Sequence, residues 1–440
     1  MDQHKTNPDN GNDTSRPEAP NQGASGGIPP VRPNGSEQED ATQRSLLSAL
    51  LRPAPLVVLT LFLVLLITLR FVFLPSSPEE SRTEDATPKV GCPETVRQTA
   101  TDAGSENYLT GAMESRARNV DMVLLDALRN TGANPAALEF LEVAPLTHKD
   151  EAYFRQTLRI PLNGKSETFL KEFKRLLASV QPEASLLSVG HEEWSVSLDG
   201  TVTHRLLLRP SPVLPHKPSV PGPKIVIVID DMGEDMQFAR GLADLPIPIV
   251  FAVWPNSSHA SQAAALAKKH GLDLLVHLPM EPLGYPKDNP GKQALFVSMD
   301  DKEIIRIVSA NLDKVPGAVG VNNHMGSRFT GDARGMHAAL SELKRRGRFF
   351  LDSRTTPHSA AKAQASLLGL PYYGRDIFLD NVADVQAILL QLRKAEHVAK
   401  RNGVAIAIGH PHKATLEALR LWAASLDTAT VVPLTSLPPQ

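Results

Sequence analysis

From residue 225 onward the chain alternates short apolar runs with amphipathic helical stretches. The runs are 225–229, 249–254, 274–277, 319–322, 349–352 and 404–408, with 431–434 closing. Helical spacing of apolar residues marks 258–270, 300–313, 335–346 and 384–402 between them. Strands this continuously apolar must be covered on both faces, and a parallel sheet flanked by helices does so. Seven or eight such units in so short a stretch suit an α/β fold of the distorted (β/α) barrel type, with about seven strands, better than a doubly wound sheet.

The ends of those runs carry chemistry. Asp230 and Asp231 follow the first, His277 the third, and Asn322, Asn323 and His324 the fourth. Asp352 and Arg354 follow the fifth, and His410 the sixth. Strand ends of an α/β fold meet at one mouth, so residues distant in sequence can share a site. Of two adjacent carboxylates, one can bind a metal while the other works as a base. An Asp with His277 and His324 leaves open positions on a divalent ion, as a catalytic zinc site requires. His410, between Gly409 and Pro411, is placed to protonate a leaving group. Asp352 and Arg354 are expected to orient a base or ligand. Asn322, Asn323 and Arg328 are expected to position substrate or an oxyanion, and Glu281 to contact substrate or support a site residue. No glycine-rich phosphate loop follows the first run. The acidic Asp230-Asp231-Met232-Gly233 stands there instead and argues against nucleotide phosphates.

These residues lie in stretches that resemble a known family. The matches are IDDMG at 229–233, HLPMEP at 277–282, NNHMGS at 322–327, FLDSRT at 350–355, FLDN at 378–381 and IAIGHP at 406–411. From 224 to 438 the sequence resembles the divergent polysaccharide deacetylases, relatives of the NodB-type carbohydrate esterases. The resemblance implies a NodB-like barrel, a divalent metal, with zinc expected, and hydrolysis of an N- or O-acetyl group on a glycan. It implies that Asp230 is the catalytic base, Asp231 a metal ligand and His410 the general acid. The H-[ST]-x-x-H ligand pair of NodB-type enzymes is absent, so His277 and His324 would supply the ligands from two strands. A glycan- or protein-binding module that kept the barrel without turnover is the alternative, and another metallohydrolase, such as a phosphoesterase, a weaker one.

The rest of the chain frames that domain. Residues 1–52 are polar and Pro/Gly-rich and read as a disordered cytoplasmic tail. Residues 53–75 hold an apolar stretch of bilayer length, read as one transmembrane helix. Arg44 and Arg52 precede it, which favours a cytoplasmic N-terminus and places the bulk in the periplasm, anchored to the inner membrane. A linker at 76–114 leads to a small α+β domain at 115–209, expected to be a spacer or binding module. Six prolines at 210–223 then form a stiff boundary. A net charge of −2 gives no reason to expect nucleic acid, and the single Cys92 excludes an intramolecular disulfide.

Overall fold

The computed structural model describes residues 112–149, 151–209 and 222–440. The membrane helix expected at 53–75, its flanking tail and most of both linkers lie outside the described residues. Among the described residues no helix is long and apolar enough to cross a membrane.

The first part of the described chain runs α1 (Ala112–Asn130), β1 (Glu139–His148), β2 (Glu151–Arg159), α2 (Ser166–Val180), β3 (Ser185–Gly190), β4 (Glu193–Leu198) and β5 (Thr201–Leu207). Helix α1 therefore starts within the stretch expected as linker. Its sheet has the order β1-β2-β5-β4-β3, parallel only between β2 and β5. The β4–β5 hairpin was expected from its alternation and Asp199-Gly200 turn. The β1–β2 hairpin was not, because its buried and exposed positions do not alternate cleanly.

The second part carries β6 (Lys224–Met232), α3 (Met236–Ala243), β7 (Ile249–Val253), α4 (Ala260–Lys269), β8 (Leu274–Met280), α5 (Asp301–Lys314), β9 (Gly320–Met325) and α6 (Ala333–Arg345). Then follow β10 (Phe349–Asp352), α7 (Ala361–Leu368), β11 (Tyr372–Gly374), β12 (Ile377–Phe378), α8 (Val385–Asn402), β13 (Val404–Gly409), α9 (Lys413–Ser425) and β14 (Thr430–Val431). Every ladder here is parallel, in the order β11-β10-β9-β8-β7-β6-β13-β12, with β14 against the start of β6. This is a curled parallel sheet of nine strands, against about seven expected. The two extra strands, β11 and β12, have three residues and two. The sheet ends at these two strands, which only Arg375 and Asp376 separate. Asp376 accepts from the backbone of Ile406 (2.9 Å) and Arg375 donates to the carbonyl of Ser353 (2.7 Å), so side chains tie the ends together.

Side-chain alternation sorts each strand into two cores. Val226, Val228, Val250, Ala252, Leu275, Leu351, Tyr373, Ile406 and Ile408 face the inside of the curl. Ile225, Ile227, Ile229, Phe251, Val276, Val321 and Phe350 face the helices. The expected closing strand at 431–434 is instead the short β14 and a 3-10 turn, whose Leu434 joins the inner core.

Helix α8 lies between the curled sheet and the α+β part. Its Lys394 is fully buried, 3.3 Å from Glu114 of α1 and over the ring of Phe154. Arg401 donates to the carbonyl of Val143, Phe140 packs on His397, and Arg129 pairs with Asp384 at 2.6 Å. A buried charge stripped of its partner is costly. Lys394→Ala is expected to lower unfolding stability by ~3 kcal/mol, read from the denaturant midpoint.

Candidate metal centre

The inward positions converge near the C-terminal ends of the strands. By the alternation above they are Asp230 on β6, His277 on β8, Asn322 and His324 on β9, Ser353 after β10, Asp380 after β12 and His410 after β13. Asp231 would face outward in a regular strand. The β6–β7 ladder slips between Ile229 and Met232, and Asp231 takes a left-handed backbone at φ 52°. This bulge turns its carboxylate into the same site as Asp230. Such a backbone is uncommon outside glycine, though Asp and Asn adopt it more readily than other residues, and it is often found at functional sites.

Three donor atoms meet there. Asp231 Oδ1 lies 2.9 Å from His324 Nδ1 and 3.2 Å from His277 Nε2, and the two nitrogens are 3.1 Å apart. Ligands on a tetrahedral ion with bonds of 2.0–2.1 Å stand about 3.3 Å apart. Asp231 Oδ1 is buried and has no hydrogen-bond partner, although both nitrogens are close to it. Three donor atoms this close, one on the buried His277 and two on the part-buried Asp231 and His324, form a cluster that could hold a cation. Burial opposes ionisation of Asp231, but the imidazoles of His324 and His277 hold its carboxyl well below the usual range.

Asn322 sets the protonation of this site. Its amide nitrogen donates to Asp230 Oδ1 at 2.7 Å and lies 3.3 Å from Ser353 Oγ. Its amide oxygen, which can only accept, is 3.0 Å from His277 Nδ1. His277 Nδ1 therefore carries a hydrogen, which leaves Nε2 as the nitrogen whose lone pair the neutral ring would offer to the cluster. Asn322 was expected to touch substrate or an oxyanion; here its hydrogen bonds go to a ligand histidine and to Asp230. Asn322→Ala is expected to weaken zinc affinity by roughly 10–100-fold, read by competition with a chromophoric chelator.

Asp230 is fully buried, and its Oδ2 has no hydrogen-bond partner. Burial pushes its carboxyl above the ordinary range, with nearby His277 and His410 pulling the other way. His410 is held by Asp380, which accepts from Nδ1 at 3.0 Å and from the His410 backbone at 2.5 Å. Thr415 Oγ1 donates to the same carboxylate at 2.7 Å. Burial lowers the imidazole pKa, but Asp380, with Asp231 and Asp230, pushes it up to about 9. The Asp380–His410 pair thus stabilises the fold fully below the ordinary pKa of about 6.5 and loses that effect as pH rises through about 9. A Cβ on Gly409 would come within 3.1 Å of Asp380 Oδ2, so glycine lets the carboxylate approach the backbone.

The remaining expected residues bond elsewhere. Asp352 shares the outward face with Phe350 and accepts from Ser359, Tyr372 and the backbone of Arg354. Arg354 donates to the carbonyl of Arg375. Asn323 also faces outward and ties Met325 and Thr355 to the backbone of Ser353. Glu281 holds the backbone of Val297 at 2.7 Å and pairs with Arg328 at 3.1 Å, fixing the loop after β8. Two site residues were not singled out from the sequence. Asp380 lies in the FLDN stretch and was visible as part of a motif. Trp254, stacked on His324 with ring centroids 5.8 Å apart, was visible only as the end of an apolar run.

The family model for divergent polysaccharide deacetylases matches residues 227–437, which hold every residue of this site. An uncharacterized Haemophilus influenzae protein is 35% identical over 197 residues, 45% of this chain and 70% of that protein. This chain belongs to the divergent polysaccharide deacetylase family. A second relative, the uncharacterized protein YibQ of Escherichia coli (strain K12), is 40% identical over 197 residues. That match spans 45% of this chain and 61% of the Escherichia coli protein, so part of that relative has no counterpart in the match. Among solved structures, uncharacterized protein ATU2773 from Agrobacterium tumefaciens C58 is similar with a TM-score of 0.48 and 24% identity, covering 50% of this chain and 91% of that one.

Proposed function

We propose that this protein is a metal-dependent deacetylase that hydrolyses acetyl groups on a glycan. The observation that carries this reading is the donor triangle of Asp231, the buried His277 and His324, with Asp230 and His410 beside it. Asp231 Oδ1, His277 Nε2 and His324 Nδ1 would hold the divalent ion, with zinc suited to this oxygen and nitrogen set. A divalent ion there acidifies a water molecule and polarises the acetyl carbonyl.

The chain's own residues supply the proton movements. Asp230, raised by burial and held by Asn322, takes a proton from the attacking water as its oxygen bonds to the acetyl carbon. His410 delivers a proton through Nε2 to the leaving nitrogen or oxygen as that bond breaks, because Asp380 occupies Nδ1. Acetate and the free amine or alcohol result. The donor triangle supports this reading over a binding module without turnover, which has no need of one. Location rests on sequence alone: the apolar stretch at 53–75 supports an inner-membrane anchor with this domain on the periplasmic side.

The test is acetate release from N-acetylated and O-acetylated oligosaccharides by the zinc-loaded chain. Turnover on either class that disappears in His410→Ala supports the reading; no turnover on both contradicts it. The pH profile adds a second check. Asp380→Asn removes the partner that raises His410, so the alkaline limb of the rate is expected to move to lower pH.

A further inference from the structure

The α+β part of the chain contributes nothing to the proposed chemistry directly, yet it is built into the wall behind His410. Glu114, Arg118 and Asp121 lie on one face of α1 at helical spacing, and all three are buried. Glu114 accepts from Lys394 of α8 at 3.3 Å and pairs with Arg118 at 3.4 Å. Arg118 then reaches past this pair. Its guanidinium carbon is 5.7 Å from the centroid of the Phe378 ring, within the range of a cation–π contact. Arg375 approaches the same ring at 5.3 Å. The Phe378 ring lies 5.1 Å from that of His410, and Asp380, two residues on, holds the His410 imidazole.

Strand β12 is a weak support for such a residue. It has two residues, paired as Ile377–Ala407 and Phe378–Ile408, with Asp376 and Leu379 on either side also bonded to β13. Arg118 is the side chain that the α+β part adds to this support, on the ring that Arg375 also approaches.

We propose that the α+β part is a working component of the active site, in which Arg118 braces Phe378 and Phe378 in turn fixes the position of His410. Arg118 is a positioning residue: it acts through the ring and touches no reacting atom. This inference rests on the reading of His410 as the proton donor.

Two substrates separate a brace from general destabilisation. An N-acetylated chitooligosaccharide releases an amine, which must be protonated as it leaves. 4-Nitrophenyl acetate releases a stabilised phenolate, which leaves without a proton. In the full zinc-loaded chain, Arg118→Ala is expected to lower kcat on the oligosaccharide about tenfold with KM unchanged, and on the aryl ester by less than about twofold. Arg118→Lys, which keeps the cation, is expected to recover most of the loss. The 15N-labelled His410 ring resonance is expected to move in Arg118→Ala and to return in Arg118→Lys. Equal losses on both substrates, or an unchanged His410 resonance with unchanged rates, would overturn the proposal. If the wild type turns over neither substrate, the deacetylase reading fails; the resonance then decides the brace, and a shift upholds the Arg118–Phe378–His410 contact. Should Arg118→Ala not fold, Arg118→Gln replaces it in the same measurements, and the same results support or overturn the brace.

Discussion

Asp231→Asn is expected to lower both zinc affinity and acetate release by roughly 10³-fold. Asparagine keeps the volume of the side chain and tolerates the left-handed backbone at φ 52°. It loses the charge and one of the two carboxylate oxygens. Its amide, turned to place nitrogen toward His277 Nε2 and His324 Nδ1, would satisfy those lone pairs instead of a cation. His277→Ala should act in the same direction through loss of a donor that is fully buried. Metal content by mass spectrometry and acetate release on one preparation check the two effects together. Full activity in Asp231→Asn without bound metal would sink the proposed ligand role.

Asp230→Asn is expected to behave differently. Asp230 is outside the donor triangle, so metal affinity should stay within about threefold while kcat falls by about 10²–10⁴-fold. Its Oδ1 already accepts from the Asn322 amide at 2.7 Å, and its Oδ2 is buried with no hydrogen-bond partner. The unpartnered oxygen is the one that can take a proton from water. An asparagine there cannot act as a base, although it fits the same space. The acid limb of the rate should vanish with the carboxylate. A variant that loses metal as readily as Asp231→Asn would show that Asp230 is a ligand and not a base.

Much of this site was legible in the sequence because alternation in strands is strict. Once Val226 and Val228 are inward, Asp230 must be inward; Ile406 and Ile408 place His410 by the same count. The same rule explains two residues that bond away from the cluster. Asp352 and Asn323 stand beside site residues in sequence, but they share parity with Phe350 and Val321 and so face the helix layer. Asp231 breaks the rule, and only the bulge at 229–232 brings it in. No residue type at that position announces a bulge, so the pairing of Asp231 with the two histidines could come from the resemblance but not from spacing.

The fold shows a similar division. Long apolar runs and long amphipathic helices were readable, and β6, β8 and α8 lie close to where periodicity put them. Strands β11 and β12 were not, because two or three residues interrupted by Arg375 and Asp376 have no period to detect. Their positions come from tertiary contacts, such as the hold of Arg375 on the carbonyl of Ser353. The buried Lys394 was equally hidden, since a lysine in an amphipathic helix normally marks the solvated face. Its partner Glu114 lies 280 residues earlier, which sequence spacing cannot connect.

The central claim is that Asp231, His277 and His324 hold one divalent ion. Native mass spectrometry of the full chain, equilibrated with micromolar zinc and then desalted, tests it directly. The predicted result is one zinc per chain in the wild type and none in Asp231→Asn or His277→Ala, with the folded charge-state distribution unchanged. A wild-type chain that carries no zinc, or variants that carry as much as the wild type, would contradict it.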